Sequence, residues 1–558
     1  MHTTGCRTTR RSHVSIGEGS IRWPSSLWNR TESGGEAATQ QDFHTCMPTS
    51  TTRHIPSYIP GYGEIRQYAG PSLTPDWVER RPCPIRPVSD GRSKVLPNIE
   101  SALEACDLKS GDTISFHHHL RNGDGVLNQV LAAAASKGIQ NLTIAASSLF
   151  PVHAPLVEHL RNGVVSRIYT AYMSGPVAEF VSSGALATPV VFQTHGGRAR
   201  AIEAGELPID VAFVAAPAAD EYGNLNGVDG PAACGPLGYA VVDAQQAHRV
   251  VAITDHLQPY PLCPVDIHQD HVDFVVSVDS IGNPAGILSG TTKPTGDPLG
   301  LRIAETASRL IEASGLLKDG FSFQTGAGGV SIAVAQYVKL LMERSRIQGG
   351  FAAGGVTGEL VDMLERGLFR TIFDVQCFDL RAVESYRAHR RHQAMSASLY
   401  ANPHCRGAMV NRLDVMVLGA SEVDLDFNVN VTTGADGSIL GGSGGHADTA
   451  AGSKLAIVTT RLASRVGPKI VNEVGCLTTP GETVDVVVTE IGAAVNPRRT
   501  DLLQSFQRAG IGVKSINELR DAALALTAAA PPRNRNGRIV GVVEYRDGSV
   551  IDIIRSRL

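Results

Sequence analysis

At 558 residues the chain is too long for one hydrophobic core, so two or three domains are expected. A hydrophobic content of 42% with 19% charged residues is that of a globular protein, and a net charge of −4 gives no electrostatic basis for nucleic-acid binding. No apolar run approaches the ~20 residues of a membrane span, and the nine cysteines are scattered without a C-x-x-C pair. That pattern argues against zinc knuckles and disulfide frameworks and points to a reducing, cytoplasmic setting.

Residues 1–55 are rich in Thr, Ser, Arg and His and lack apolar periodicity. They are expected to form a disordered extension whose acidic-poor start fits a transit peptide or a simple tail equally well. Residues 56–98 read as a Pro-rich connector. From about residue 99, apolar β-branched runs ("DTISFH", "NLTIAASS", "RIYTAY", "PVVFQTH", "DVAFVAAP") alternate with helical patterns such as "VLNQVLAAAASKG" and "APLVEHLRNG". Strands apolar throughout are buried on both faces, so the expected fold is α/β with open, largely parallel sheets.

The second half repeats the first. "DVAFVAAPAADEYGNLN" (210–226) and "DVMVLGASEVDLDFNVN" (414–430) match at Asp210/Asp414, Val211/Val415, Ala216/Ala420, Asp220/Asp424, Asn224/Asn428 and Asn226/Asn430, always 204 positions apart. Two related α/β domains follow, 99–297 and 298–558, divided in the Pro- and Gly-rich "SGTTKPTGDPLG", with a ligand expected in the cleft between them.

Several short stretches carry candidate chemistry. "GGSGGHAD" supplies Gly442, Gly444 and Gly445, bare backbone whose N–H groups could close around an anion. "FQTGAGG" supplies Gly326, Gly328 and Gly329 at the expected N-terminus of a helix. "THGGRAR" puts His195 and Arg198 at the carboxyl end of a buried strand, where ligands of open α/β sheets gather and where a guanidinium suits a carboxylate. "FHHHL" resembles a metal site, but strand alternation sends His117 and His119 to one face and His118 to the other, so no metal is expected.

Taken in order, "ISFHHHLRNGDGVLNQV", "THGGRARAIEAGELPIDVAF", "CGPLGYAVVDA", "FSFQTGAGGVSIAV", "FNVNVTTGADG", "GGSGGHADTA" and "TTPGETVDVVVTEIGAAVNPRR" resemble the α subunit of citrate lyase, within the wider CoA-transferase group. The resemblance implies a transferase that exchanges acetyl for citrate on the thioester of an acyl carrier protein. Acetyl-CoA can stand in for the carrier, whose phosphopantetheine is CoA-like, and no cofactor is held tightly by this chain. It also implies a lyase β subunit and an acyl carrier γ subunit as partners, with homo-oligomers inside a larger complex. His446 stands where related transferases carry Gln and is expected to donate to the developing oxyanion. Asp448 is expected to cap a helix. Gly354 occupies the place of the glutamate that forms an acyl-enzyme in many relatives, which implies a direct, ternary-complex route. Glu422 or Glu359 would be the displaced nucleophile otherwise. Two further readings stay open: transfer or hydrolysis with another acid such as citramalate, and a non-catalytic scaffold.

Overall fold

The computed structural model describes residues 53–71, 80–84, 92–288, 293–527 and 534–557. The expected disordered extension therefore lies outside the described residues, except at its end. There Arg53 donates to the Asp552 carboxylate and, at 2.6 Å, to the Val474 carbonyl. Of the connector, Tyr58–Ile59 and Gly63–Glu64 form a small hairpin, and Val95–Leu96 joins the edge of a large sheet.

Two sheets organise the chain. The first runs in space Val550–Arg555, Ile539–Glu544, Val190–Phe192, Val165–Thr170, Leu142–Ala146, Thr113–Phe116, Val211–Ala216, Arg249–Thr254, Phe274–Ser277 and Val95–Leu96. The second runs His392–Ala394, Phe369–Cys377, Gly349–Val356, Ser322–Thr325, Val415–Gly419, Leu455–Thr459, Val486–Thr489, Gly492–Val495 and Val513–Lys514. Among the described residues each sheet has a single antiparallel pairing, between Ile539–Glu544 and Val550–Arg555 in the first and between Val486–Thr489 and Gly492–Val495 in the second. The two final strands of the first sheet come from beyond residue 298, so the sheets do not follow the expected division to the end of the chain.

The pattern of burial explains the apolar strands. Val415, Val417, Leu455, Ile457, Val486 and Val488 belong to one hydrophobic cluster, while the alternate residues Met416, Leu418, Ala456, Val458 and Val487 belong to another. Successive side chains point to opposite faces, and both faces are covered.

The 204-residue repeat is a repeated piece of chemistry. Asp210 accepts from the Thr113 N–H and Asp414 from the Ser322 N–H, each tying a central strand to its neighbour. Asp220 accepts from the N–H groups of Tyr222 and Asn224 at 3.0 Å, and Asp424 accepts from those of Asp426 and Asn428 at 3.0 Å. These are Asx turns, in which a short carboxylate replaces the backbone acceptor of a tight turn. Among the described residues no helix is long and apolar enough to cross a membrane.

Candidate active site

Loops from the carboxyl ends of both sheets meet around a cavity of about 680 Å³. From the first sheet come His118, Arg121, Ser148, Phe150, Tyr172 and His195; from the second come Gln324 to Gly328, Gly355, Gln376, Phe378, Gly419 to Ser421 and Gly442 to His446. No aspartate or glutamate lines it, and Arg121 is the one lining residue with a permanent positive charge among the described residues.

The glycine-rich loop docks the two halves together. Gly444 N–H donates to the Ala171 carbonyl, Met173 N–H to that of Gly441, and His195 N–H to that of Gly444 at 2.8 Å. A Cβ at Gly442 would lie 2.3 Å from the Ala171 carbonyl oxygen, and one at Gly445 would lie 2.4 Å from the Tyr400 hydroxyl. Bare backbone is needed there because another segment passes too close for a side chain. Gly326 and Gly328 differ: their nearest neighbours would be 3.6 Å and 4.0 Å away, and a Cβ at Gly419 would meet nothing within 4 Å. These three leave room beside the backbone for whatever fills the cavity, although the Gly326 N–H already donates to the Val417 carbonyl at 2.8 Å and the Gly419 carbonyl faces His446 Nε2 at 2.9 Å. Gly328 caps the helix Gly329–Ser345, as the sequence suggested, while Gly329 itself packs against Lys293 and does not line the cavity.

His195 opens the helix His195–Ala204, and its ring stacks on His118 (5.5 Å between centroids) and packs at a tilt against Tyr239 (4.5 Å), the three rings forming one cluster. Burial pushes its pKa down to about 3, so it is neutral. Arg198, expected to meet a substrate carboxylate, is turned away. It makes a bidentate pair with Asp243 (2.8 and 2.7 Å) and donates to the Ala145 carbonyl, and it does not line the cavity. Asp243 also lies 3.3 Å from His117 Nε2, and the Arg198 guanidinium offsets the burial of this carboxylate and holds its pKa well below the usual range.

His446 lines the cavity, but both its nitrogens are engaged. Nε2 lies 2.9 Å from the Gly419 carbonyl and Nδ1 lies 2.7 Å from Thr479 Oγ1. A carbonyl can only accept, so Nε2 carries the proton and Nδ1 accepts from the threonine hydroxyl. The expected oxyanion donor thus has its proton committed to Gly419. Glu422 is buried beside the site without lining it, accepting from Asn430 Nδ2 at 2.9 Å and from Gly475 N–H at 2.8 Å. Asp448, expected to cap a helix, does not do so: the helix His446–Gly452 is capped by the Gly445 backbone without a side-chain bond, and the Asp448 carboxylate accepts instead from Thr194 Oγ1 and the Gly196 N–H.

Two lining residues receive no binding role from sequence, His118 being weighed only as part of a metal site. His118 Nδ1 lies 2.6 Å from Ser147 Oγ, which also accepts from the His118 N–H at 3.1 Å. Arg121 lies three positions on, its guanidinium 4.6 Å from the Phe378 ring centroid and 5.6 Å from that of Phe150. Its backbone adopts φ +52°, rare for a side-chain-bearing residue. The signal available was "HLRNGDG", a polar turn directly after a buried strand, where the triple histidine drew the attention.

Paired parallel sheets whose glycine loops meet over one cavity define a CoA-transferase-type α/β protein. A chain of the Pseudomonas malonate decarboxylase hetero-tetramer shares this fold at a TM-score of 0.60 with 18% identity, over 78% of this chain and 86% of that one. Residues 92–557 match the family model for the citrate lyase alpha subunit, and the chain belongs to that family. The citrate lyase alpha chain of Escherichia coli K12 is 49% identical over 461 residues, 83% of this chain and 90% of that protein. A Streptococcus mutans chain described as an alpha subunit of citrate lyase, crystallised in complex with citrate, superposes with a TM-score of 0.87 at 44% identity, covering 91% of this chain and 99% of that one.

Proposed function

We propose that this chain is the transferase subunit of a citrate lyase complex, exchanging acetyl for citrate on a carrier thioester to release acetate and citryl-carrier. A citrate carboxylate oxygen attacks the acetyl thioester carbonyl, and the carrier thiolate leaves to give a mixed citric–acetic anhydride. The thiolate then attacks the citryl carbonyl of that anhydride and acetate departs. The observation that carries this reading is the cavity itself: strand ends of both sheets, free space beside Gly326, Gly328 and Gly419, and, among the described residues, one guanidinium and no acid in its lining. Donors without competing carboxylates suit an anionic acid and the oxyanions formed from it. The direct route is supported by Gly354, where φ is +102° and a Cβ would lie 2.3 Å from Gln324 Nε2, so no glutamate fits the unaltered backbone.

In this reading the thioester arrives on the phosphopantetheine of an acyl carrier γ subunit, and a lyase β subunit cleaves the citryl product. We place the reaction in the cytoplasm, as the scattered cysteines suggest. Incubation of the purified chain with acetyl-CoA and citrate should yield citryl-CoA and acetate in equal amounts. Hydrolysis of acetyl-CoA without citryl-CoA would point to a thioesterase instead.

A further inference from the structure

We propose that the turn His118–Arg121 is the carboxylate-binding element of the cavity, with the Arg121 guanidinium and the His118 Nε2–H as its two donors. This rests on the transferase reading above and assigns the acid substrate to residues other than Arg198 and His446.

Ser147 fixes the direction of the histidine. Its Oγ accepts from the His118 N–H, and the hydroxyl proton has His118 Nδ1 2.6 Å away as its acceptor. Nδ1 is thereby an acceptor, so the ring proton sits on Nε2, at the far side of the ring. The His118 ring lines the cavity while Ser147 lies behind it, fully buried. The Nε2–H is therefore the polar atom that the ring offers to a ligand. Stacking on His195 and Tyr239, 5.5 Å and 4.6 Å between centroids, holds the ring plane.

Arg121 is positioned from both halves of the molecule. Its guanidinium lies between Phe150 of the first half and Phe378 of the second, which restrains a side chain that otherwise loses much rotamer entropy on binding. Gln376 Nε2 donates to the His118 carbonyl, so the second half also holds the backbone of the turn. A cation and a neutral N–H donor from one turn, facing a cavity lined by no acid among the described residues, form a receptor for a carboxylate. The thioester, which has no formal charge at its acyl end, needs neither.

Calorimetry of the full chain with citrate and, separately, with acetyl-CoA tests the assignment, because binding is read without turnover. Arg121→Gln should weaken citrate at least ~30-fold, the loss of charge-assisted hydrogen bonds. It should leave acetyl-CoA affinity within about threefold. Arg121→Lys, which keeps the charge, should recover part of the citrate affinity, and thermal melts of both variants report whether they fold. Citrate binding by Arg121→Gln at wild-type strength, equal losses for both ligands in both folded variants, or no citrate binding by wild type would overturn the proposal. Wild type that binds citrate through Arg121 but forms no citryl-CoA would instead remove the transferase reading and leave this carboxylate site in place.

Discussion

Asp448 Oδ1 accepts from Thr194 Oγ1 and Asp448 Oδ2 from the Gly196 N–H, both at 2.9 Å, so a carboxylate of the second half holds the helix start that carries His195. The carboxylate is fully buried, with Arg546 Nε 3.6 Å away. Removing it leaves a buried hydroxyl, an N–H and a guanidinium short of an acceptor. Asp448→Ala should therefore destabilise the fold by about 3–5 kcal/mol, measured by denaturant unfolding. It should also weaken transferase activity through a misplaced His195. A variant of wild-type stability would show that the two halves are held by packing alone.

Burial outweighs Arg546 and pushes the Asp448 pKa from 3.8 up to about 6. Between those values the folded protein keeps a proton that the unfolded chain has lost, so this group favours folding increasingly as pH falls from about 6 towards 4. Above pH 6 the full cost of the buried charge is present. The stability of wild type relative to Asp448→Asn should accordingly rise on acidification through this window. A difference independent of pH would mean that the carboxyl titrates normally.

Arg198 is a structural cation. Arg198→Ala strands Asp243 in the interior and should cost about 3–5 kcal/mol, whereas replacing both partners with apolar residues of similar size should cost less than either single change. Any loss of activity should affect citrate and acetyl-CoA alike. Unchanged stability with a raised KM for citrate alone would return Arg198 to the substrate site.

The fold was legible in the sequence because its signals are local. Buried parallel strands read as continuous apolar runs, and the Asx turns repeat the same Asp and Asn at the same offset. The site was legible only as far as position: His195, His446 and the glycine loops do line the cavity. What each side chain does there depends on partners far away in sequence. Arg198 meets Asp243, His446 meets Gly419 and Thr479, and Gly442 meets Ala171, and none of these pairings leaves a periodic trace. Arg121 was missed for the same reason, since Phe378, which seats it, lies in the other half.

Glutamine can reproduce both hydrogen bonds of His446, with its oxygen accepting from Thr479 and its amide donating to Gly419. His446→Gln should keep activity within about threefold, while His446→Ala, which strands both partners, should lose at least tenfold. Burial lowers the His446 pKa from 6.5 to about 4, so its contribution to stability is complete above 6.5 and is lost as pH falls towards 4. His446→Gln removes that loss and should gain on wild type across the same interval. If Gln is as damaging as Ala, the imidazole itself is needed for the reaction.

The surroundings of the carboxylates support the proposed direct route over a covalent one. At Gly354 the positive φ and the Gln324 side chain leave no room for a nucleophilic glutamate, so Gly354→Glu should destabilise the chain rather than install one. Glu359 is occupied on the helix surface by Gln336 at 2.7 Å and Lys339 at 3.4 Å. Glu422 is closer to the cavity, but its hydrogen bonds to Asn430 and the Gly475 N–H hold it among protein donors, and reaching a thioester would require breaking them. Kinetics with citrate and acetyl-CoA should therefore be sequential, and hydroxylamine trapping after acetyl-CoA alone should leave every carboxylate unmodified by mass analysis. Glu422→Gln, which keeps the bond from Asn430 through its own oxygen, should then retain most activity. A CoA thioester trapped on Glu422, together with parallel-line kinetics, would overturn the ternary-complex route while leaving the family and the cavity as they stand.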